Sequence, residues 1–124
     1  MIVSANDSTF EATVLTADLP VLVHFWAPWC GLCRRITPLL QQFQADWQGQ
    51  LQVVTVNADE NLRLASAYRL ITLPTLLLFD GGELRQRLDS FPGKEDMRLL
   101  LNACLDQRLP LAGYSLQSAT YPQG

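Results

Sequence analysis

The sequence predicts an α/β fold in which helices cover both faces of one central sheet. Three observations carry that prediction. The runs Pro20 to Trp26 and Pro74 to Phe79 are apolar on successive residues, as strands buried on both faces must be. Around them, apolar residues recur at helical spacing. The chain has 124 residues, 48% of them apolar, enough for one hydrophobic core and too short for two domains.

The elements follow in order. Ser8-Thr9-Phe10-Glu11 has the spacing of a capping box, with Ser8 as cap and Glu11 reaching back to it, so a first helix runs to about Leu15. Pro20 to Trp26 is an inner strand, interrupted by one polar residue, His24. From Cys30 to Trp47 a helix presents Ile36, Leu39, Leu40, Phe43 and Trp47 on one face, Gly49 stops it, and Pro38 is expected to kink it. Leu51 to Val56 reads as a second inner strand and Asn61 to Tyr68 as a short helix. Pro74 to Phe79 turns through Asp80-Gly81-Gly82 into a hairpin partner, Leu84 to Leu88. Met97, Leu100, Leu101, Cys104 and Leu105 give a last helix one core face. The stretch after Pro110 has no charged residue and mixes Gly, Pro, Ser, Gln and Tyr, which suits a loose terminus.

Composition removes several function classes. Nine basic residues are scattered among twelve acidic ones for a net charge of −3, so no stripe for nucleic acid forms. No apolar run reaches the ~20 residues of a membrane span. The opening residues lack the basic, apolar and small-residue order of a secretory signal, and a cytoplasmic location is expected. Three cysteines without an export signal argue against a disulfide framework and for reactive thiols.

Those thiols are Cys30 and Cys33, two residues apart at the start of a helix. Such a pair can close a small disulfide ring and reopen it. Unpaired amides and the positive dipole end favour a thiolate at Cys30, which makes Cys30 the nucleophile and Cys33 the resolving thiol. The same spacing fits zinc, but a structural zinc site needs four ligands, and the chain offers one further cysteine and one histidine. No metal and no cofactor are expected.

Phe25-Trp26-Ala27-Pro28-Trp29-Cys30-Gly31-Leu32-Cys33-Arg34, followed by Pro38, Asn57-Ala58-Asp59, Leu73-Pro74-Thr75 and Gly82, resembles the thioredoxin family in order and spacing over about residues 2 to 107. The resemblance implies a thioredoxin fold: a mixed sheet of four to five strands flanked by about four helices, with residues 1–108 as the domain and 109–124 as a flexible or loosely docked tail. It implies a cis peptide bond before Pro74, which faces the cysteines. Trp29, Gly31, Leu32, Leu73, Pro74 and Ser90 would line the surface that substrates touch, with Trp26 beneath the loop; simple core filling is the other reading of Trp26 and Leu73. Partners would be protein disulfides and a thioredoxin reductase or another thiol donor, with the chain acting as a monomer.

Several positions depart from the family pattern. Leu32 stands where proline is usual, and the family trend then implies a weaker reductant. His24 replaces a buried aspartate, and Thr55 replaces that aspartate's lysine neighbour, so a charged pair has become a neutral one. His24 is either the proton acceptor for Cys33 or a core histidine bonded to Thr55 or a backbone carbonyl. Ser90 with Phe91 replaces a glycine edge and would narrow partner choice. These departures motivate an alternative, a thioredoxin-fold binding or redox-sensing module with weak or no general reductase activity; an oxidase or isomerase is a third reading. Arg34 and Arg35 either influence the thiolate and acidic partners or form a solvated face. Cys104 reads as a buried small hydrophobe, with a second redox switch as the alternative.

Overall fold

The computed structural model describes residues 1–89. Five strands form one mixed sheet: β1 (Val3–Ser4), β2 (Val21–Trp26), β3 (Gln52–Asn57), β4 (Thr75–Asp80) and β5 (Glu83–Leu88), in the order β1-β3-β2-β4-β5. β1 and β2 run parallel to β3, β4 is antiparallel to β2, and β5 is antiparallel to β4. Helix α1 (Gly31–Asp46) connects β2 to β3, and α2 (Leu62–Ala67) lies between β3 and β4. This is the mixed sheet the sequence predicts. The two-residue β1 went unread, because Val3 and Ser4 are both exposed and show no alternation.

The two unalternating runs occupy the middle of the sheet, where each needs cover on both faces. Leu22, Val53, Leu76, Leu78 and Leu88 point to α1 and pack with its Ile36, Leu40 and Phe43. Val21, Val23, Phe25, Val54, Val56, Leu77 and Phe79 point the other way, against Phe10, Val14 and Leu64. Full burial of each such side chain is worth about 1.5–3 kcal/mol, which makes these two layers the main stabilising term. Tyr68, just past α2, closes the second layer by meeting Phe79 edge-on at 5.7 Å and Phe10 at 5.8 Å. Helix α1 continues through Pro38, which sits on its exposed side.

The first helical segment is a widened turn, Glu11–Leu15, in which the Thr16 amide reaches the Glu11 carbonyl at 3.0 Å. Its cap corrects the sequence expectation. Asn6, not Ser8, accepts from the amides of Ser8 and Thr9 at 2.9 and 3.0 Å, while the Thr9 hydroxyl accepts from the Asn6 amide at 2.9 Å. Ser8 spends its own hydroxyl as a donor to the Asn6 side chain. The box is therefore Asn6 with Thr9: Ala5 still bonds the Thr55 carbonyl, so the chain leaves the sheet at Asn6, and the residue at that departure is the one placed to cap.

Candidate functional site

Strand β2 delivers its carboxyl end to the site. Beyond Trp26 the chain turns through 27–29, with the Cys30 amide donating to the Ala27 carbonyl at 3.0 Å, and enters α1 with Cys30 as N-cap residue. One turn later the helix brings Cys33 round to the same place. The two cysteines are disulfide-bonded, with Cα atoms 5.3 Å apart. The Cys33 amide donates to Cys30 Sγ at 3.1 Å, so one of the unpaired amides at the start of the helix points at the outer sulfur. Cys30 is 6% exposed and Cys33 1%, which leaves Cys30 as the sulfur a partner can reach.

Antiparallel pairing brings in the second wall. Phe25 lies opposite Thr75, so Pro74, one residue earlier in β4's approach, arrives beside the end of β2 and the cysteine loop. The Leu73-Pro74 peptide is cis, as the resemblance implies. Leu73 is half-buried against the second core layer, and Trp26 is half-buried at the carboxyl end of the central strand β2. Ile71, two residues before Leu73, is 87% exposed, and Trp29 across the loop is 68% exposed. Leu32 packs partly against the α1 core layer, and Gly31 is half-exposed at the start of the helix.

Contacts that the sequence left unread hold these walls. Trp29 Nε1 donates to Asp59 Oδ2 at 2.9 Å, and the Asp59 amide is itself capped by Asn57 Oδ1 at 2.9 Å. The Asn57-Ala58-Asp59 run was visible as a motif, but its partner is thirty residues away. Arg34 Nη1 donates to the Pro28 carbonyl, which ties the loop to α1. On the other side, the Arg87 guanidinium donates to the carbonyls of Tyr68 and Arg69 at 2.5 and 2.9 Å and to the Asp89 carboxylate at 2.9 Å. Thr72 Oγ1 donates to the Asp89 carbonyl at 3.0 Å, and Thr75 Oγ1 donates to the Thr72 carbonyl at 2.7 Å. Strand β5 thus fastens the segment that leads into Pro74.

His24 lies on the α1 face of the sheet in a cross-strand row with Thr55, Leu76 and Leu88. It is 2% exposed, and its Nε2 has no hydrogen-bond partner among the described residues. Burial pushes its imidazole down from 6.5 to about 4, because loss of solvent penalises the charged form. Neutrality of the His24 and Thr55 pair agrees with the sequence reading, whereas Nε2 forms no hydrogen bond to Thr55. Ser90, Phe91, the last helix with Cys104, and the 108/109 division all lie outside the described residues. Among the described residues, no group of three or more His, Cys, Asp or Glu could hold a metal ion, and no helix is long and apolar enough to cross a membrane.

Comparison with known proteins agrees with this geometry. The thioredoxin family model matches residues 1–103. Thioredoxin 1 of Synechococcus elongatus is 42% identical over 106 residues, covering 86% of this chain and 95% of the relative. Thioredoxin 1 of a Nostoc species is 49% identical over 78 residues, 63% of this chain and 73% of the relative. Thioredoxin of a Synechocystis species is 44% identical over 88 residues, 71% and 79% respectively. With its cysteine pair at disulfide distance at the head of α1, the chain belongs to the thioredoxin family and is a thiol-disulfide oxidoreductase.

Proposed function

We propose that the chain reduces protein disulfides in the cytoplasm, as a monomer, through Cys30 as nucleophile and Cys33 as resolving thiol. The observation that carries the reading is the disulfide at the head of α1 with the Cys33 amide aimed at Cys30 Sγ. After reduction, that amide and the positive end of the helix stabilise a Cys30 thiolate. The thiolate attacks one sulfur of a partner disulfide, forming a mixed disulfide and expelling the other sulfur as thiolate. Cys33 then gives up its proton and attacks Cys30 Sγ, which forms the internal disulfide and releases the second partner thiolate. Two electrons pass to the partner, and a thioredoxin reductase or another thiol donor returns them.

His24 accepts the Cys33 proton during the second attack. Its unpartnered Nε2 on the α1 face supports this role, and its lowered basicity means the proton is held only in passing. Trp29, Gly31, Leu32, Leu73, Pro74 and Ser90 form the partner-binding surface; the exposure of Trp29 and the placing of Pro74 beside the loop support the described part of it.

Reduction of insulin disulfides with dithiothreitol as donor tests the reading. Wild type is expected to turn over, and Cys30→Ser and Cys33→Ser to lose turnover. An inactive wild type with an intact fold would overturn the reading of a general reductase and leave a binding module or an enzyme confined to particular partners.

A further inference from the structure

The charges around the cysteine loop are sorted by side. On the Trp29 side stand two exposed carboxylates, Asp59, which is bonded to the Trp29 indole, and Glu60. On the α1 side stand two exposed guanidiniums, Arg34 and Arg35. Arg34 is committed to the Pro28 carbonyl. Arg35 sits one helical turn after Gly31, and side chains on a helix lean toward its N-terminus. Its Nη1 accordingly lies 3.6 Å from where a Cβ on Gly31 would be, over the middle of the Cys30 to Cys33 loop. Arg35 makes no hydrogen bond and no ion pair among the described residues; the ion pairs there are Arg85 with Glu83 and Arg87 with Asp89.

A guanidinium placed at the mouth of the site, without an internal carboxylate, meets whatever the partner brings to Cys30. A partner joined to Cys30 by a mixed disulfide whose chain crosses Gly31 brings the residues beside its own cysteine within reach of Arg35. A basic residue in that place would face two like charges, whereas an acidic one would find a planar fork of donors that matches a carboxylate. Chain on the Trp29 side meets Asp59 and Glu60, so the preference has a direction.

We propose that Arg35, assisted by Arg34, makes this oxidoreductase selective for protein disulfides whose reacting cysteine is flanked by an acidic residue on the α1 side. The proposal rests on the dithiol reading and adds to it the chemical class of the substrate.

The test uses three synthetic peptide disulfides that differ only beside the reacting cysteine, carrying Glu, Gln or Lys there, with wild type, Arg35→Met and Arg35→Glu as enzymes. The quantity read is the ratio of kcat/KM between peptides for each enzyme. Any effect of Arg35 on thiolate reactivity is common to all three peptides and cancels in that ratio. Wild type is expected to favour Glu over Gln by about fivefold at low salt, with the preference shrinking as ionic strength rises. Arg35→Met should bring the ratio close to one, and Arg35→Glu should turn the preference toward Lys. An unchanged Glu-to-Gln ratio in Arg35→Glu would overturn the selectivity while leaving the dithiol chemistry standing. Failure of wild type to reduce any of the three peptides would overturn the dithiol reading itself, and the selectivity with it.

Discussion

Acid should destabilise this protein through His24 in a way that a single substitution removes. The imidazole is buried, paired with no carboxylate among the described residues, and lowered from 6.5 to about 4. Between those two values the unfolded chain binds a proton at this position and the folded chain does not. Protonation therefore favours unfolding, and stability falls as pH drops from 6.5 to about 4, then levels off as far as this group is concerned. At about 1.4 kcal/mol per tenfold change in proton concentration, the whole window is worth about 3 kcal/mol. His24→Leu removes the titration and suits a row that already holds Leu76 and Leu88. Guanidinium unfolding of both proteins, followed by tryptophan fluorescence at pH 7 and pH 4.5, separates His24 from every carboxylate, since those are common to both. Wild type should lose about 2 to 3 kcal/mol more than His24→Leu over that interval. Parallel stability curves, within about 0.5 kcal/mol, would refute the assignment of a buried neutral imidazole, because a group with its ordinary pKa cannot be titrated by folding. The same variant bears on the proton relay. It should match or exceed wild type in stability at pH 7, where an unpartnered buried nitrogen has been removed, yet resolve mixed disulfides more slowly.

Other substitutions read single contacts. Gln44 is buried and serves two backbone groups, donating to the Leu51 carbonyl at 2.8 Å and accepting from the Val53 amide at 2.6 Å, so Gln44→Leu should cost about 2–4 kcal/mol in urea unfolding by leaving both unpaired. Gly82 has φ +82°, and a Cβ there would stand 2.6 Å from the Leu15 carbonyl oxygen; Gly82→Ala should cost about 2 kcal/mol or more, read as a lower Tm. Arg69 adopts φ +51° at the end of α2, where glycine is the usual residue, and Arg69→Gly should raise stability by about 0.5–1 kcal/mol in the same assay. Arg87→Met releases the carbonyls of Tyr68 and Arg69, and through the Pro74 wall it should raise KM for insulin severalfold with a smaller change in kcat; an unchanged KM would make the clamp purely structural.

What the sequence disclosed and what it hid divide along contact range. Strands β2, β3 and β4 were legible to within a residue, because burial on both faces leaves the run itself unmistakable. Helix α1 was legible at both ends, from Cys30 to Trp47, because its apolar face repeats over four turns. The disulfide pair was legible because both partners sit within one turn of each other. Features made by residues distant in sequence were not. The Asp7 carboxylate accepts from the Leu64 amide at 3.1 Å and so caps α2 from 57 residues away, while Asn61 Oδ1 accepts from the Asp7 amide at 2.8 Å in return. Nothing local to Leu62–Ala67 announces that cap. Its far end is equally silent. The Leu70 amide reaches the Ala65 carbonyl and the Arg69 amide the Ser66 carbonyl at 3.0 and 3.1 Å, a helix stop made without glycine or proline.

The site shows the same division. Cys30, Cys33 and Pro74 are set by one strand end, one helix start and one strand pairing, all of which follow from the hydrophobic pattern. Other contacts at the site are made across the fold: Arg87 and, just past β5, Asp89 bond the segment that leads to Pro74, and His24 stands within the sheet. His24 also shows how exchange of a charged pair for a neutral one moves a cost rather than abolishing it. An aspartate at that position would need a buried cation beside it; a histidine needs none at neutral pH, where its cost is that of one buried unpartnered nitrogen, and the larger cost appears only with a proton. That proton comes from solvent as pH falls from 6.5 to about 4, taken up by the unfolded chain and not by the folded one, and it weakens the fold.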